Sequence, residues 1–145
     1  MLTPLPDIML EPVVRATLLE DLGRAGDITT DAIVPPDHRS RLALGARQDG
    51  VVAGLDLARI AFRLMDPEIE MTVHRPDGAR VRAGEAIATL QGPTRGLLTA
   101  ERTALNLLCR LSGIATATAG LVEAVRGYRA SIVCTRKTTP GLRAL

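Results

Sequence analysis

The spacing of apolar residues changes at Thr94, and this change constrains the fold more than any other feature. From Thr94 onward, leucines and alanines recur on one helical face, with polar residues on the other at steps of three and four. Gly113 predicts the end of this helix, and a second helix of small residues is expected over about 115–125. The polar face of the first helix comprises Arg95, Thr99, Arg102, Asn106 and Arg110.

Before Thr94 the pattern alternates between short strands and helices. Asp7 is expected to cap the first helix, and Gly23 to end it. Asp49-Gly50 predicts a tight hairpin turn between two strands. Helices are predicted over 7–22 and 55–65, a long structured loop over 26–36, and strands over 42–48, 51–53, 69–74, 80–82 and 86–91.

The last segment predicts the beginning of a different architecture. Residues 130–134 form a plausible buried strand that leads directly into the polar loop 135–141. A helix, a strand and a polar loop at the strand's C-terminal end are how an α/β layer or barrel begins. A parallel strand needs neighbours reached through long crossovers, and only five residues follow Pro140. Either this strand joins the preceding antiparallel sheet, or the chain is the front part of a longer protein.

Composition narrows the classes of function. The 145 residues, 46% of them hydrophobic, suffice for one modest domain, and the net charge of +2 argues against a general nucleic-acid or membrane-surface binder. Phe62 and Tyr128 are the only aromatic residues, which excludes a base-stacking platform. No signal peptide, spanning apolar run or CxxC pattern is visible. We therefore expect a cytoplasmic protein with reduced cysteines.

One lysine stands out among the basic residues. Of the 18 cations, 17 are arginine, and the remaining Lys137 lies in the loop with Thr135 and Arg136. An arginine fork and a mobile ammonium group together suit a carboxylate or phosphate ligand. A solvated basic loop is the alternative, and the two interpretations are about equally supported.

The other charged residues can be explained by structural roles that require no ligand. Arg102, beside Glu101, fits a surface salt bridge, a solvated face, or a face at a subunit or domain boundary, and spacing does not separate these. Helix-capping and turn roles are favoured over catalysis for Asp21, Asp27 and Asp31. His38 and His74 are isolated, so no metal site built from protein ligands alone is expected.

Four groups of segments, in matching order, resemble the quinolinate phosphoribosyltransferase family (nicotinate-nucleotide pyrophosphorylase, carboxylating). The ERTALN and TRKTTPGLR segments are specific, whereas the first two groups are individually weak. The groups are 20–23 with 26–30 (EDLG, GDITT), 50–55 (GVVAGL), 101–106 with 111–116 (ERTALN, LSGIAT), and 135–143 (TRKTTPGLR).

The resemblance implies an α/β (α+β) protein in two parts. Residues 1–113 would form an N-terminal α/β sandwich. Residues 114–145 would supply the first helix, strand and loop of an incomplete C-terminal α/β barrel, whose remainder would lie beyond this chain. The isolated chain is therefore expected to be inactive.

The resemblance also implies an activity: transfer of phosphoribosyl from phosphoribosyl pyrophosphate to quinolinate, with decarboxylation, to give nicotinate mononucleotide, pyrophosphate and CO2. It implies substrate-binding roles for Thr135, Arg136 and Lys137, with Lys137 also catalytic, and a less certain role for Arg143. The counterpart of Arg102 would reach the neighbouring subunit's site in a homodimer or higher oligomer. Mg²⁺ would accompany phosphoribosyl pyrophosphate, with its ligands in the missing part.

Two other readings stay open. The chain could be a non-catalytic dimerisation or binding module, because the helix over 94–112 and an unfinished strand leave surfaces unpaired. It could also belong to a paralogue that acts on another anionic ring, such as the molybdenum-transport-linked relative.

Overall fold

The structure, a computed structural model, describes residues 5–145 and confirms the mixed helix-and-sheet class. Short helices and strands precede one long helix, and the residues after it form turns without a strand. In chain order the elements are α1 (Asp7–Leu22), α2 (Ile28–Ile33), β1 (Arg39–Gly45), β2 (Gly50–Val51), α3 (Leu55–Met65), β3 (Glu70–Val73), β4 (Arg80–Val81), β5 (Ala86–Pro93) and α4 (Thr94–Ala124).

The sheet pairs strands that are distant in sequence. β5 lies between β1 and β3, antiparallel to both, so that Leu90 is opposite Leu42 on one side and Met71 on the other. β2 pairs separately with β4. The predicted hairpin at Asp49-Gly50 is therefore wrong. The Asp49 carboxylate instead accepts from the backbone N–H of Ala83 at 2.9 Å, which ties the 46–49 turn to a different part of the chain.

The predicted helix break at Gly113 is also wrong, because α4 continues through it as one helix of 31 residues. A glycine inside a helix destabilises it by only about 1 kcal/mol relative to alanine. Contacts made by the residues on both sides of Gly113 outweigh this loss. Ser112 accepts from the backbone N–H of Ala53 at 3.0 Å, and Thr116 accepts from that of Val51 at 2.9 Å. These two bonds fix the middle of α4 against the segment around β2.

Close packing at this point requires glycine. A Cβ on Gly50 would lie 2.8 Å from the Thr116 hydroxyl oxygen. Gly54 has a φ of 106°, and a Cβ there would lie 3.0 Å from a Leu111 methyl carbon. The GVVAGL segment therefore packs closely against the LSGIAT segment of α4.

The core lies between the sheet and the helices α1, α3 and α4. α1 and α3 both pack on α4, whose first half supplies the fully buried Leu97, Ala100 and Ala104. Leu57 and Ile60 supply the corresponding face of α3. The predicted bounds of α1 and α3 are confirmed.

Three local predictions need correction. The loop predicted over 26–36 contains α2. Asp7 does not cap α1, since Pro6 occupies that position, and its carboxylate instead binds Arg59 at 2.7 Å and Arg63 at 2.9 Å. The strand predicted over 130–134 does not form. It has no neighbouring strand with which to exchange backbone hydrogen bonds.

By length and composition alone, α4 could also cross a bilayer, because its most apolar 18-residue stretch has a mean hydropathy of 1.4. This corrects the prediction that no apolar run reaches spanning length. A single helix of this kind is weak support for a span, since core helices of soluble proteins meet the same criterion.

Candidate functional site

Arg102 lies on the polar face of α4, opposite the C-terminal end of α1. Its Nη1 donates to Asp21 Oδ1 at 2.9 Å. The hydrogen bond that Arg102 donates to Asp21, and then the negative charge of Asp21, raise the pKa of the Arg102 guanidinium, so the arginine stays charged. The arginine side chain is 73% exposed and the aspartate side chain 23%. Within residues 5–145, Nε and Nη2 of Arg102 have no hydrogen-bond partner, so one edge of the guanidinium is open.

Asp27 supplies a second carboxylate beside Arg102. It caps α2, as predicted, by accepting from the Thr30 backbone N–H at 3.0 Å, and it also accepts from the Thr99 hydroxyl at 3.0 Å. Hydrogen bonds from Thr30 lower the pKa of the Asp27 carboxyl. Burial opposes this effect, and a hydrogen bond from Thr99 and the positive charge of Arg102 lower the pKa by smaller amounts. A concavity of about 220 Å³ opens here, lined by Asp21, Leu22, Gly26, Asp27, Ile28, Thr29, Leu98, Thr99 and Arg102.

Arg95, about two turns earlier on the same helix, is held differently. Its Nε donates to the Val34 carbonyl at 2.8 Å, and its Nη2 to the Asp31 carbonyl at 3.0 Å. Nη1 lies 3.3 Å from the Asp31 carboxylate, and the side chain is 33% exposed. All three nitrogens of this guanidinium are used to anchor the end of α2, so Arg95 is a structural arginine.

The loop that carries Thr135, Arg136 and Lys137 is exposed, and Arg136 has a φ of 58°. α4 reaches this loop through Arg110, which donates to the Thr139 hydroxyl. Among the described residues, no hydrogen bond or ion pair joins Arg102 to this loop, so the structure does not bring the predicted site residues together within one chain. The roles of Thr135, Arg136, Lys137 and Arg143 stay predictions.

The sequence does not by itself identify the residues that contact the polar face of α4. Asp21 was assigned a capping or turn role, yet its carboxylate binds Arg102, 81 residues away. A signal for this exists in the sequence, because Asp21 lies in the last turn of α1, where the helix dipole disfavours a carboxylate. An acidic residue at that position is more readily explained by a distant cation than by the helix itself.

Comparison with known proteins gives a consistent result over most of the chain. The family model for the quinolinate phosphoribosyl transferase N-terminal domain matches residues 27–112, and the C-terminal domain model matches residues 114–145. The division into two domains at 113/114 stays a prediction, and α4 runs across it without a break.

Individual relatives and solved structures agree with the family models. A nicotinate-nucleotide pyrophosphorylase (carboxylating) of Mycobacterium leprae is 47% identical over 137 residues, covering 91% of this chain and 47% of the relative. A probable enzyme of the same name from Synechocystis is 44% identical, covering 97% of this chain and 47% of the relative. The crystal structure of NadC from Streptococcus pyogenes superposes with a TM-score of 0.94 at 38% identity, covering 99% of this chain and 50% of that one. The chain thus spans about half the length of these relatives.

Proposed function

Since the chain belongs to the quinolinate phosphoribosyltransferase family, we propose that it is the N-terminal part of an enzyme that converts quinolinate and phosphoribosyl pyrophosphate into nicotinate mononucleotide, pyrophosphate and CO2. The observation that carries the proposal is Arg102. It is a charged, exposed arginine with one guanidinium edge open, in a chain whose residues 27–112 and 114–145 match the two family models.

The chemistry calls for cations of this kind. Quinolinate carries two carboxylates, and an arginine fork matches a carboxylate bidentately. We assign carboxylate binding to Arg102 and Arg136, a lining role to Thr135, and a positive charge beside the ring or its carboxylate to Lys137. Arg102 would serve the site of a neighbouring subunit, as the resemblance implies, and within residues 5–145 no hydrogen bond or ion pair joins it to the loop 135–141 of its own chain.

The reaction balances in two steps. The pyridine nitrogen bonds to the anomeric carbon of ribose, while the bond from that carbon to pyrophosphate breaks and pyrophosphate leaves with the electron pair. The ring nitrogen is now positive and stabilises the electron pair left at C2 when the 2-carboxylate departs as CO2, and C2 then takes a proton. Fixed cations favour the first step by binding the anionic reactants in register.

The cofactor and partner assignments belong to the same proposal. Within the part of the chain that the structure describes, no three His, Cys, Asp or Glu side chains are grouped as metal ligands. These residues do not fit a Mg²⁺ site, and we derive no step through the metal. We propose that it arrives with phosphoribosyl pyrophosphate, that the enzyme is a homodimer or larger, and that it works in the cytoplasm.

The test uses the complete product of the gene that encodes this chain. We expect nicotinate mononucleotide to form only when quinolinate and phosphoribosyl pyrophosphate are both present, measured by chromatography. Lys137→Met should abolish most of this turnover while Lys137→Arg restores part of it. Near-normal turnover of Lys137→Met would remove Lys137 from the mechanism, and no product from the unaltered protein would overturn the proposed function.

One observation favours a second candidate, a dimerisation or binding module. The second half of α4 exposes Ile114, Leu121 and Val122, which form an apolar surface without a partner in the described residues. The 145-residue chain assayed alone separates the two candidates, since measurable turnover would exclude the module. A third candidate, the paralogue acting on another anionic ring, would be favoured if quinolinate failed to bind the complete protein.

A further inference from the structure

The contact between Arg102 and Asp21 has features that an ordinary surface ion pair lacks. Most exposed pairs contribute little, because both side chains move freely in water. Here the acceptor lies on a packed helix: the Asp21 side chain is 23% exposed, against 73% for that of Arg102, and it follows the core residue Leu18 by one turn on α1, which packs on α3 and α4. Asp21 therefore restrains one end of a more exposed arginine.

The geometry of the contact leaves the arginine usable. Asp21 accepts from Nη1 through a single oxygen, whereas a bidentate pair would occupy two nitrogens of the fork. Nε and Nη2, the pair that commonly binds a carboxylate side-on, point elsewhere. Arg95 provides the contrast on the same helix face, because its three nitrogens are all engaged and none remains for a ligand.

A second carboxylate, that of Asp27, also acts on the guanidinium through its charge. Asp27 is fixed by the Thr30 amide and the Thr99 hydroxyl, and its charge acts on Arg102 without a direct hydrogen bond. The Arg102 side chain is 73% exposed, so the edge without hydrogen bonds is accessible to solvent. An arginine held in this way loses less conformational entropy when it binds a carboxylate.

We propose that Asp21 is a positioning residue for substrate binding: it holds the Nη1 edge of Arg102 so that the opposite edge binds a quinolinate carboxylate in the neighbouring subunit's site. This inference rests on the proposed function and deepens it. It also explains why a carboxylate occupies the last turn of α1, where the helix dipole disfavours it.

The test is steady-state kinetics on the complete gene product. Asp21→Ala should raise the KM for quinolinate about 5- to 20-fold, with kcat within about 2-fold and the KM for phosphoribosyl pyrophosphate unchanged. Asp21→Asn keeps an acceptor oxygen, so its KM for quinolinate should lie between those of the unaltered protein and Asp21→Ala. In an Arg102→Ala background, Asp21→Ala should have no further effect, because the group it positions is gone.

Asp31→Ala is the matched control. It removes the carboxylate partner of Arg95 on the same helix face, while two backbone carbonyls still hold that arginine. We expect its KM for quinolinate to match the unaltered protein. An unchanged KM in Asp21→Ala, or an equal rise in Asp31→Ala, overturns the inference while leaving the proposed function intact. If Asp21→Ala fails to fold, as judged by circular dichroism, Asp21→Asn decides the question in the same way.

Discussion

The two halves of α4 belong to one helix but have opposite surroundings. The first half is held by the core and by side chains from the ends of α1 and α2, so almost every turn makes a specific contact. The second half, from Gly113 onward, exposes apolar and polar residues alike. The sequence pattern is helical in both, which shows that periodicity reports the secondary structure but not which side will be covered.

The boundary between the halves is marked by three side-chain contacts rather than by Gly113. Ser112 and Thr116 bind the backbone near β2, and Gly54 makes room for Leu111. The relatives that this chain matches are about twice its length. Among the described residues, the first half of α4 is packed in the core, and the second half is exposed.

The largest expected difference between the halves concerns their leucines. Leu97 is 0% exposed, and Leu97→Ala should lower the free energy of unfolding by about 2–5 kcal/mol, through lost apolar contact and the cavity left behind. In the isolated 145-residue chain, Leu121→Ala removes the same atoms from a side chain that is 58% exposed, and should change stability by less than about 0.5 kcal/mol. Urea unfolding followed by circular dichroism measures both. Equal losses would mean that the second half of α4 is covered within this chain, contrary to the comparison.

Glycines sharpen the comparison because the expected effects have opposite signs. Gly54→Ala forces a side chain into a φ of 106° and against Leu111, so we expect a loss of about 1–3 kcal/mol. Gly120, in the exposed half, has open space where its Cβ would lie. Gly120→Ala should raise stability by up to about 1 kcal/mol through helix propensity. Thermal unfolding midpoints measure both effects. The midpoint of Gly54→Ala should lie below that of the unaltered chain, and the midpoint of Gly120→Ala above it.

The parts of the fold that could be predicted depend on neighbouring residues. α1 and α3 were predicted to their ends because their apolar spacing and their terminal residues lie within the helix itself. Strand pairing could not be predicted in the same way. β1 pairs with β5, more than 40 residues further along the chain. The Asp49-Gly50 sequence favours a hairpin turn, but Asp49 instead accepts a hydrogen bond from the backbone N–H of Ala83.

In the candidate site, too, features that depend on nearby residues are visible in the sequence, and contacts between distant residues are not. Arg102 was named from the resemblance and from its place on a polar helix face, both of which are visible in the sequence. Asp21 was not paired with it, because the contact depends on how α1 packs on α4. Lys137 is distinctive in the sequence as the one lysine among arginines; in the structure it lies in an exposed loop, and its role stays a prediction.

The smallest expected effect tests whether charge helps to hold the first half of α4. Asp27 accepts from Thr99, and hydrogen bonds from Thr30, then from Thr99, lower its pKa in the folded protein from the ordinary 3.8. A carboxyl with a lowered folded pKa stabilises fully above its unfolded pKa, and this contribution is lost as the pH falls through the folded value. Asp27→Asn keeps the helix cap but removes the charge. The unaltered chain should therefore be more stable than the variant by about 0.5–1 kcal/mol at pH 6, and the gap should narrow as the pH falls from the ordinary 3.8 through the lowered folded value.

Glu123→Gln is the control for this effect in the second half. Glu123 pairs with Arg126 at 2.6 Å, but both side chains are half exposed or more, so the pair should contribute less than about 0.5 kcal/mol. Urea unfolding between pH 2.5 and pH 6 compares both variants with the unaltered chain. A gap for Asp27→Asn that persists at the lowest pH would show that its cost comes from the cap geometry and not from the charge. The charge of Asp27 would then contribute nothing measurable to holding the first half of α4, and Asp21 would be the carboxylate whose charge acts on Arg102.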